Sequence, residues 1–293
     1  MADGIMEPNL RDKDDKPAVA FFNRYQGASC FICANGPSMG SLDLSLLRSP
    51  GIMTMAFNNG VSTLLMNGVT PDFWTCMDQP CKFVKQMWLN PKIVKLLPDR
   101  LMNSPLWDNE KWEDMRLTPY DCPNTLKYKR NADFNADMFF LEPTINWGCS
   151  KEHGGCRSVL LASIKLMYIL GFRHVYLLGV DLEMTLEKKY HFDEQRSPGS
   201  IKQNNNTYHK IITEYGPGIA ASAKRIGMNI YNCNPTSKLT AFPYVPFEEA
   251  VQKATSLMGS VKTIQTKGMY VLYEDKVRMN REEAIAHLAG IVD

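Results

Sequence analysis

The sequence predicts an α/β fold: a Rossmann-like, doubly wound and mostly parallel sheet, with an irregular lid segment and a C-terminal accessory element. Short apolar runs recur along the chain and stop on small polar residues, as buried parallel strands do. Segments with helical periodicity separate these runs, which favours parallel pairing because parallel strands need a crossover between them. The 293 residues, 44% hydrophobic and 22% charged, suit one large domain or a domain with a smaller appendage.

The first predicted strand runs from Ser29 to Ala34 and breaks at Asn35-Gly36-Pro37-Ser38. An apolar run that ends in Gly-Pro indicates a tight turn, and a short helix is predicted after it over 43–47. Small residues allow a ligand to approach the backbone, and Ser38 is expected to cap the helix while exposed N–H groups face an anion. In a doubly wound sheet this turn lies at the carboxyl end of a strand, where ligands bind.

The second and third predicted strands end in the same way. Residues 51–57 form the second strand, a short helix follows over 61–67, and residues 73–77 form the third strand. Because the carboxyl ends of parallel strands lie at one edge of a sheet, the polar residues that follow them are expected to line a single crevice. These residues are Asn35 after the first strand, Asn58 and Asn59 after the second, and Asp78 after the third.

The second half of the chain continues the alternation. Residues 155–170 have the apolar spacing of a helix, and residues 174–180 form a strong buried strand that ends at Asp181. The segment 183–209 lacks sustained apolar periodicity and is predicted to be a lid, since a long irregular segment inside a compact domain is usually functional. A helix over 208–226 follows it.

A last sheet strand is predicted over 229–233. Between residues 82 and 140 the patterns indicate only a helix over 83–88 and a strand over 92–97. The chain is thereby divided into three parts: a leader over residues 1–27, a nucleotide-binding catalytic domain over 28–246 and a C-terminal accessory segment over 247–293. The accessory segment contains Tyr270-Val271-Leu272-Tyr273, a candidate edge strand or homo-oligomer contact.

Charge and cysteine content limit the possible partners and the compartment. A net charge of +2 gives no support for a large nucleic-acid footprint, which usually shows a strong basic excess. Eight cysteines in a chain of this length do not make a disulfide scaffold, and Cys30 and Cys33 are expected to act as small hydrophobes within the first strand. No signal peptide is predicted, because residues 1–16 are polar and charged. No membrane span is predicted either, because the apolar stretch 159–170 is short and interrupted by Lys165. We expect a cytoplasmic protein.

Four motifs stand in order along the chain: 34–38, 67–72 running on to Asp78, 177–182, and Tyr190-His191. In this order they resemble the motifs of motility-associated glycosyltransferase-like domains, and the resemblance covers about residues 28–240. The first motif, the helix and strand over 155–181 and the segment Cys233-Asn234-Pro235-Thr236-Ser237 are also similar to the bacterial lipooligosaccharide sialyltransferases.

The resemblance implies a domain that binds a nucleotide-activated sugar, typically a CMP-linked sialic acid in the sialyltransferases. By that likeness Asn35, with Gly36, Pro37 and Ser38 of the same turn, and Asn58 or Asn59 contact the donor. It further implies a histidine general base: His209 stands nearly at the sialyltransferase position, and His191 matches the motility-associated group. Asp78 departs from the asparagine of the sialyltransferases, which puts CMP-sialic acid in doubt. Arg157, Tyr190 and Tyr208 are candidates for the sialyltransferase arginine and tyrosine pair.

Glycosyl transfer needs a base for the acceptor hydroxyl and stabilisation of the leaving phosphate, and a histidine suits the first task near neutral pH. Asp181 ends a buried strand, where a carboxylate needs a partner or a cation, so a catalytic, a metal-binding and a turn-capping role stay open. The leading hypothesis is a nucleotide-sugar-dependent glycosyltransferase that acts on a glycan or another hydroxyl acceptor.

Two alternatives remain. One is a pyrophosphokinase or phosphotransferase on a small heterocycle, in which Asp78 and Asp181 hold Mg²⁺ beside nucleotide phosphates; the superfamily in question includes an archaeal pterin pyrophosphokinase. The other is a non-catalytic nucleotide-binding module that has kept the fold alone. A nucleic-acid acceptor is disfavoured by the near-neutral charge.

Overall fold

The computed structural model describes residues 10–77, 83–108, 113–128, 130–132, 136, 138–141, 146–147, 158–185, 187 and 197–257. Twelve strands lie in this part of the chain, and eight of them form the central sheet. The strands are β1 (Leu10–Arg11), β2 (Ser29–Cys33), β3 (Met53–Phe57), β4 (Phe73–Thr75), β5 (Val94–Pro98), β6 (Trp107–Asp108), β7 (Glu113–Asp114), β8 (Thr125–Tyr128), β9 (Arg130–Ala132), β10 (Asn146–Trp147), β11 (His174–Leu178) and β12 (Asn229–Asn232).

The central sheet has the strand order β1-β8-β5-β4-β3-β2-β11-β12. All neighbouring strands are parallel except β1, which runs antiparallel to β8. From β2 the chain builds the sheet outwards in one direction as far as β8, and it then returns to the other side of β2 with β11. The predicted doubly wound, mostly parallel sheet is therefore confirmed, and its switch point lies between β2 and β11.

Six α-helices are found in the described residues. They are α1 (Gly60–Met66), α2 (Lys85–Leu89), α3 (Val159–Leu170), α4 (Pro198–Lys210), α5 (Gly216–Arg225) and α6 (Phe247–Leu257). No helix in this part of the chain combines the length and the apolar character needed to cross a bilayer.

The turn after β2 does not lead into the predicted α-helix over 43–47. Two 3₁₀ helices, Pro37–Ser41 and Leu44–Arg48, occupy this region instead. The first begins with Pro37, whose fixed φ suits a helix start, and the second is capped by Asp43, which accepts a hydrogen bond from the Ser45 N–H over 3.1 Å.

Both faces of the sheet are buried, which explains why the strands are continuously apolar. Alternate residues of β2 enter different clusters: Cys30 and Ile32 face the side covered by α3, whereas Phe31 and Cys33 face the side covered by α6. Burial raises the pKa of the thiols of Cys30 and Cys33. Both cysteines therefore remain neutral small hydrophobes, a state that does not favour redox chemistry at their C-x-x-C spacing.

Part of the predicted leader belongs to the sheet. Leu10–Arg11 pair with β8, and the side chains of Leu10 and Phe21 are buried in the core that includes α3. The leader therefore packs on the domain from residue 10 onwards, because these apolar side chains find partners that are distant in sequence. In the accessory segment α6 packs against β2, and the run 270–273 lies outside the described residues.

The prediction of an irregular segment over 183–209 is wrong for its second half, since α4 occupies residues 198–210. Ser197 caps this helix by accepting a hydrogen bond from the Ser200 N–H over 3.2 Å, and Pro198 stands in the first helical turn. The helix begins at Pro198 rather than at Tyr208, and a π-helix, Ile211–Tyr215, joins it to α5. Pro217 explains this irregularity, because it has no N–H with which to continue the α-helical pattern.

Candidate functional site

A cleft with a volume of about 340 Å³ lies at the carboxyl ends of β2, β3 and β11, at the switch point of the sheet. Its walls come from the strand ends, from the first residues of α3 and from one face of α4. The polar residues at the strand ends are Asn35, Asn58 and Asp181. α3 and the residue before it contribute Ser158, Val159 and Leu160, and α4 contributes Gln203, Asn204, Thr207 and Tyr208.

The structure brings together some of the residues singled out by the sequence. Asn35, Gly36, Asn58 and Asp181 all line this cleft. The neighbouring positions are set apart from it: Pro37 and Ser38 begin the following 3₁₀ helix, and Asn59 precedes α1 without lining the cleft. Asp78, His191 and the candidates Arg157 and Tyr190 lie outside the described residues.

Asn58 has a fixed backbone and an unused amide oxygen. Its φ of +49° is in the left-handed region, which asparagine tolerates better than most residues. Its N–H donates to the Thr75 carbonyl over 3.1 Å, and its carbonyl accepts from the indole N–H of Trp74 over 3.0 Å. The Oδ1 atom is buried and accepts no hydrogen bond within the described part of the chain.

Asp181 is held by protein groups on both oxygens of its carboxylate. Oδ2 accepts a hydrogen bond from the Ser38 N–H over 3.1 Å, and Oδ1 accepts one from Nδ2 of Asn234. Its carbonyl accepts from the Lys238 N–H over 3.1 Å. A Cβ on Gly36 would collide with Oδ2, so this close approach requires glycine.

These contacts correct the expectation for Ser38. Its side chain does not cap a helix, and its Oγ makes no hydrogen bond to any described residue. The anion that faces its N–H is the carboxylate of Asp181, which belongs to the chain itself.

The same contacts bear on the predicted Mg²⁺ site. Each oxygen of Asp181 accepts one N–H hydrogen bond, from Ser38 and from Asn234, and keeps a second lone pair that a cation could use. Among the described residues, no group of three His, Cys, Asp or Glu side chains is placed to hold a metal ion. Asp78, the other predicted ligand, lies outside the described residues, and the Mg²⁺ site stays a prediction.

α4 is fastened to the loop that follows β11. Asn205 donates from Nδ2 to the Met184 carbonyl over 2.8 Å and accepts at Oδ1 from the Met184 N–H over 3.1 Å. The run Asn204-Asn205-Asn206 is predicted to be flexible loop, so the α4 wall of the cleft, apart from the candidate Tyr208, is missed from the sequence. The signal that points to it is the Ser-Pro helix start at 197–198, after which 203, 204, 207 and 208 fall on one helical face.

His209 lies in a second pocket, with a volume of about 360 Å³, beside the cleft. The two pockets share Leu182, Glu183 and Tyr208. Leu182 has a φ of +53°, an uncommon conformation for a leucine, and it lies at the boundary of both spaces.

The electrostatic character of the cleft comes from a helix end as well as from side chains. Among the described residues that line it, Asp181 and Glu183 are the charged ones. The N-terminus of α3 supplies the opposite sign, because the first N–H groups of a helix lack intrahelical partners and carry the positive end of its dipole. The cleft thus places polar side chains opposite a potential anion-binding helix end.

No protein-family model and no curated protein matches the chain. Several solved structures are similar to it at low sequence identity, and three of them are described here. The MAf glycosyltransferase from Magnetospirillum magneticum AMB-1 is 14% identical, with a TM-score of 0.43, and the match covers 86% of this chain and 39% of that protein. This chain therefore spans about two fifths of the length of that glycosyltransferase.

The other two are structures of a sialyltransferase. CstII from Campylobacter jejuni in complex with a substrate analogue, cytidine-5'-monophosphate, is 16% identical over 78% of this chain and 98% of that chain, with a TM-score of 0.41. Its complex with a trisaccharide acceptor and CMP is 15% identical over 73% of this chain and 84% of that chain, with a TM-score of 0.36. The solved structures to which this chain is similar thus include a MAf glycosyltransferase and the sialyltransferase CstII.

Proposed function

We propose that this chain is a nucleotide-sugar-dependent glycosyltransferase that binds its donor in the cleft and its acceptor in the adjoining pocket. The observation that carries the proposal is that two pockets of similar volume meet at Leu182, Glu183 and Tyr208. A transfer reaction must hold two substrates in contact, and adjoining pockets provide that arrangement. The motif resemblance in the sequence supports the same class of reaction.

The donor side is argued from the cleft. Its volume of about 340 Å³ falls in the range of small-molecule sites. A donor phosphate is expected at the N-terminus of α3, where the first N–H groups, which have no partner within the helix, and the helix dipole favour an anion. The unused Oδ1 of Asn58 then accepts from a ribose hydroxyl or a base amino group, and Asn35 lies on the neighbouring strand end.

The acceptor side is argued from the second pocket. In the proposed step an acceptor oxygen attacks the anomeric carbon of the sugar while the bond from that carbon to the donor phosphate breaks. The hydroxyl proton passes to His209, and the leaving phosphate keeps the electron pair, stabilised by the α3 N–H groups and by Tyr208. His191 is the second candidate for the base, and both histidines enter the test.

A thermal-shift screen of the purified protein tests the donor site. CMP, CMP-sialic acid, UDP-sugars, GDP-sugars and ATP are compared, each with and without Mg²⁺. A ligand at a hundred times its Kd stabilises the folded state by about 2.7 kcal/mol, so a true donor raises the melting temperature measurably. Asn58→Gly keeps the left-handed backbone but removes the amide, and we expect it to abolish the shift. Asn59→Gly is the matched control and is expected to keep it.

Enzyme assays follow with the donor that the screen identifies. Transfer of the sugar to a hydroxyl acceptor is expected for the wild type, with a loss of at least about a hundredfold in kcat when the base is replaced by alanine. The variants His209→Ala and His191→Ala separate the two candidates. A shift with ATP and Mg²⁺ alone would contradict the sugar donor and favour pyrophosphoryl transfer, and no shift with any nucleotide would contradict the donor site itself.

A further inference from the structure

The residues after β12 connect the ends of three strands through one continuous set of hydrogen bonds. Asn234 donates from Nδ2 to Oδ1 of Asp181, after β11, and Oδ2 of Asp181 accepts from the Ser38 N–H, after β2. The ends of β12, β11 and β2 are thereby joined on the same edge of the sheet as the cleft. Asn234 is buried and does not line the cleft itself.

The orientation of the Asn234 amide is determined by its surroundings. Its Oδ1 accepts from both the N–H and the hydroxyl of Thr236, each over 3.0 Å, and only an oxygen can fill that position. Its backbone N–H donates to Oδ1 of Asn232 over 3.0 Å. The NH₂ group must therefore face Asp181.

This arrangement controls where the negative charge of Asp181 lies. Asp181 borders the cleft, so a carboxylate released from its two donors would be free to turn towards a bound anion. The hydrogen bonds from Asn234 and Ser38 offset that charge and hold the turn that carries Asn35 and Gly36. The same turn is also anchored to β11, because the Gly36 N–H donates to the Gly179 carbonyl over 2.8 Å.

We infer that Asn234 is a positioning residue of the nucleotide site, which acts through Asp181 on the turn after β2. The inference rests on the proposed function, because it requires a nucleotide to bind in the cleft. Removal of the hydrogen bond from Asn234 to Asp181 is expected to weaken nucleotide binding and raise KM for the donor. The value of kcat should stay nearly unchanged, since Asn234 lines neither pocket. A residue that served only the stability of the fold would lower the melting temperature without changing the affinity of the folded protein.

A charge-swap experiment tests this with CMP, UDP and GDP as probes, their affinities being measured by isothermal titration calorimetry on the full chain. Asn234→Asp keeps the acceptor that Thr236 needs but places a second carboxylate against Asp181. We expect it to weaken nucleotide binding by about tenfold or more, as for the loss of a charge-assisted hydrogen bond. The double variant Asp181→Asn with Asn234→Asp reverses donor and acceptor, and it is expected to recover most of the affinity.

Asn229→Asp is the matched control, because it makes the same chemical change at the exposed, opposite end of β12. If Asn234→Asp does not fold, Asn234→Ala removes the donor without adding a charge and is expected to weaken binding in the same direction. The inference is overturned if the folded variant, Asn234→Asp or Asn234→Ala, binds the nucleotides as tightly as the wild type. A double variant that binds no better than Asn234→Asp overturns it as well.

The Asn58→Gly variant separates this inference from the proposed function. If the wild type binds no nucleotide, both fail. If Asn58→Gly weakens binding while the Asn234 variants do not, the donor site stands and the positioning role alone is overturned.

Discussion

Ser38 and Asp181 are 143 positions apart in the sequence and are joined by a hydrogen bond of 3.1 Å from the Ser38 N–H to Oδ2 of Asp181. The bond connects the turn after β2 to the turn after β11, at the switch point of the sheet. It forms only because residue 36 is a glycine, whose hydrogen leaves room for the carboxylate. The cleft borders this pair, so its shape depends on the contact.

The first prediction concerns Gly36. In Gly36→Ala the new methyl group meets the carboxylate of Asp181 and the Gly179 carbonyl, and neither can move without breaking the turn. We expect a loss of about 1–3 kcal/mol in the free energy of unfolding, measured by urea denaturation, together with a loss of the proposed nucleotide binding. Gly199→Ala in α4 is the control, since its methyl group meets only Oγ of Ser197, at an ordinary contact distance of 3.9 Å, and it should be neutral or stabilising. Equal effects of the two substitutions would contradict the argument.

The second prediction concerns pH. Desolvation raises the pKa of Asp72 to about 6, although its carboxylate accepts hydrogen bonds from the N–H and the hydroxyl of Thr54. Because the folded pKa lies above the unfolded value of 3.8, ionisation opposes folding. This contribution to stability is fully present below about pH 4 and is lost as the pH rises through about 6.

Asp72→Asn keeps an oxygen that can accept from Thr54 but removes the charge. At pH 7 it is expected to be more stable than the wild type by up to about 3 kcal/mol, at 1.36 kcal/mol for each unit of pKa shift. Urea denaturation between pH 4 and pH 8 measures the difference, which should shrink towards pH 4. A difference that stays constant over this range would contradict the assigned pKa.

The third prediction concerns the attachment of α4. Asn205→Ala removes both hydrogen bonds to the backbone of Met184, and a loss of about 1–2 kcal/mol is expected in the free energy of unfolding. Faster amide hydrogen exchange at residues 182–185 should accompany it. The control is Asn206→Ala, an exposed position of the same helix, where alanine should be neutral or slightly stabilising because of its helix propensity.

The fourth prediction concerns a buried lysine that lines neither pocket. The ammonium group of Lys95 donates to the carbonyls of Asn90, Ile93 and Pro123 over 2.9, 2.9 and 2.8 Å. Lys95→Met keeps most of the side-chain volume but leaves three carbonyls without this donor, and we expect a loss of about 3 kcal/mol or more in unfolding free energy. The exposed Lys92 is the control for the same change, and the prediction is wrong if the two variants are equally stable.

The strand ends were predictable from the sequence alone. Ser29 to Ala34 predicted a strand that the structure places at Ser29–Cys33, and the Asn-Gly-Pro-Ser turn follows it. An apolar run that stops at glycine, proline or asparagine is a local signal, because backbone conformation at those residues is restricted within a few positions. In a parallel sheet such signals also place Asn35 and Asn58 on one edge, and both line the cleft.

The helix α4 shows where local signals failed. Residues 203–206 are polar and rich in asparagine, a composition that indicates a loop, and the helix there is supported by contacts with Met184. Helical stability in proteins comes mainly from such packing rather than from intrinsic propensity. A single sequence contains no sign of that partner, which is 21 positions away from Asn205.

The sequence by itself determined the α/β class, the positions of the main strands along the chain and the edge of the sheet at which polar residues collect, because each depends on patterns within short windows. Only the tertiary structure decided which groups contact Asp181 there. A carboxylate at a strand end is compatible with a base, a metal ligand or a cap, and the sequence does not show which donors surround it. Those donors, Ser38 and Asn234, reach it from distant parts of the chain once the sheet has formed.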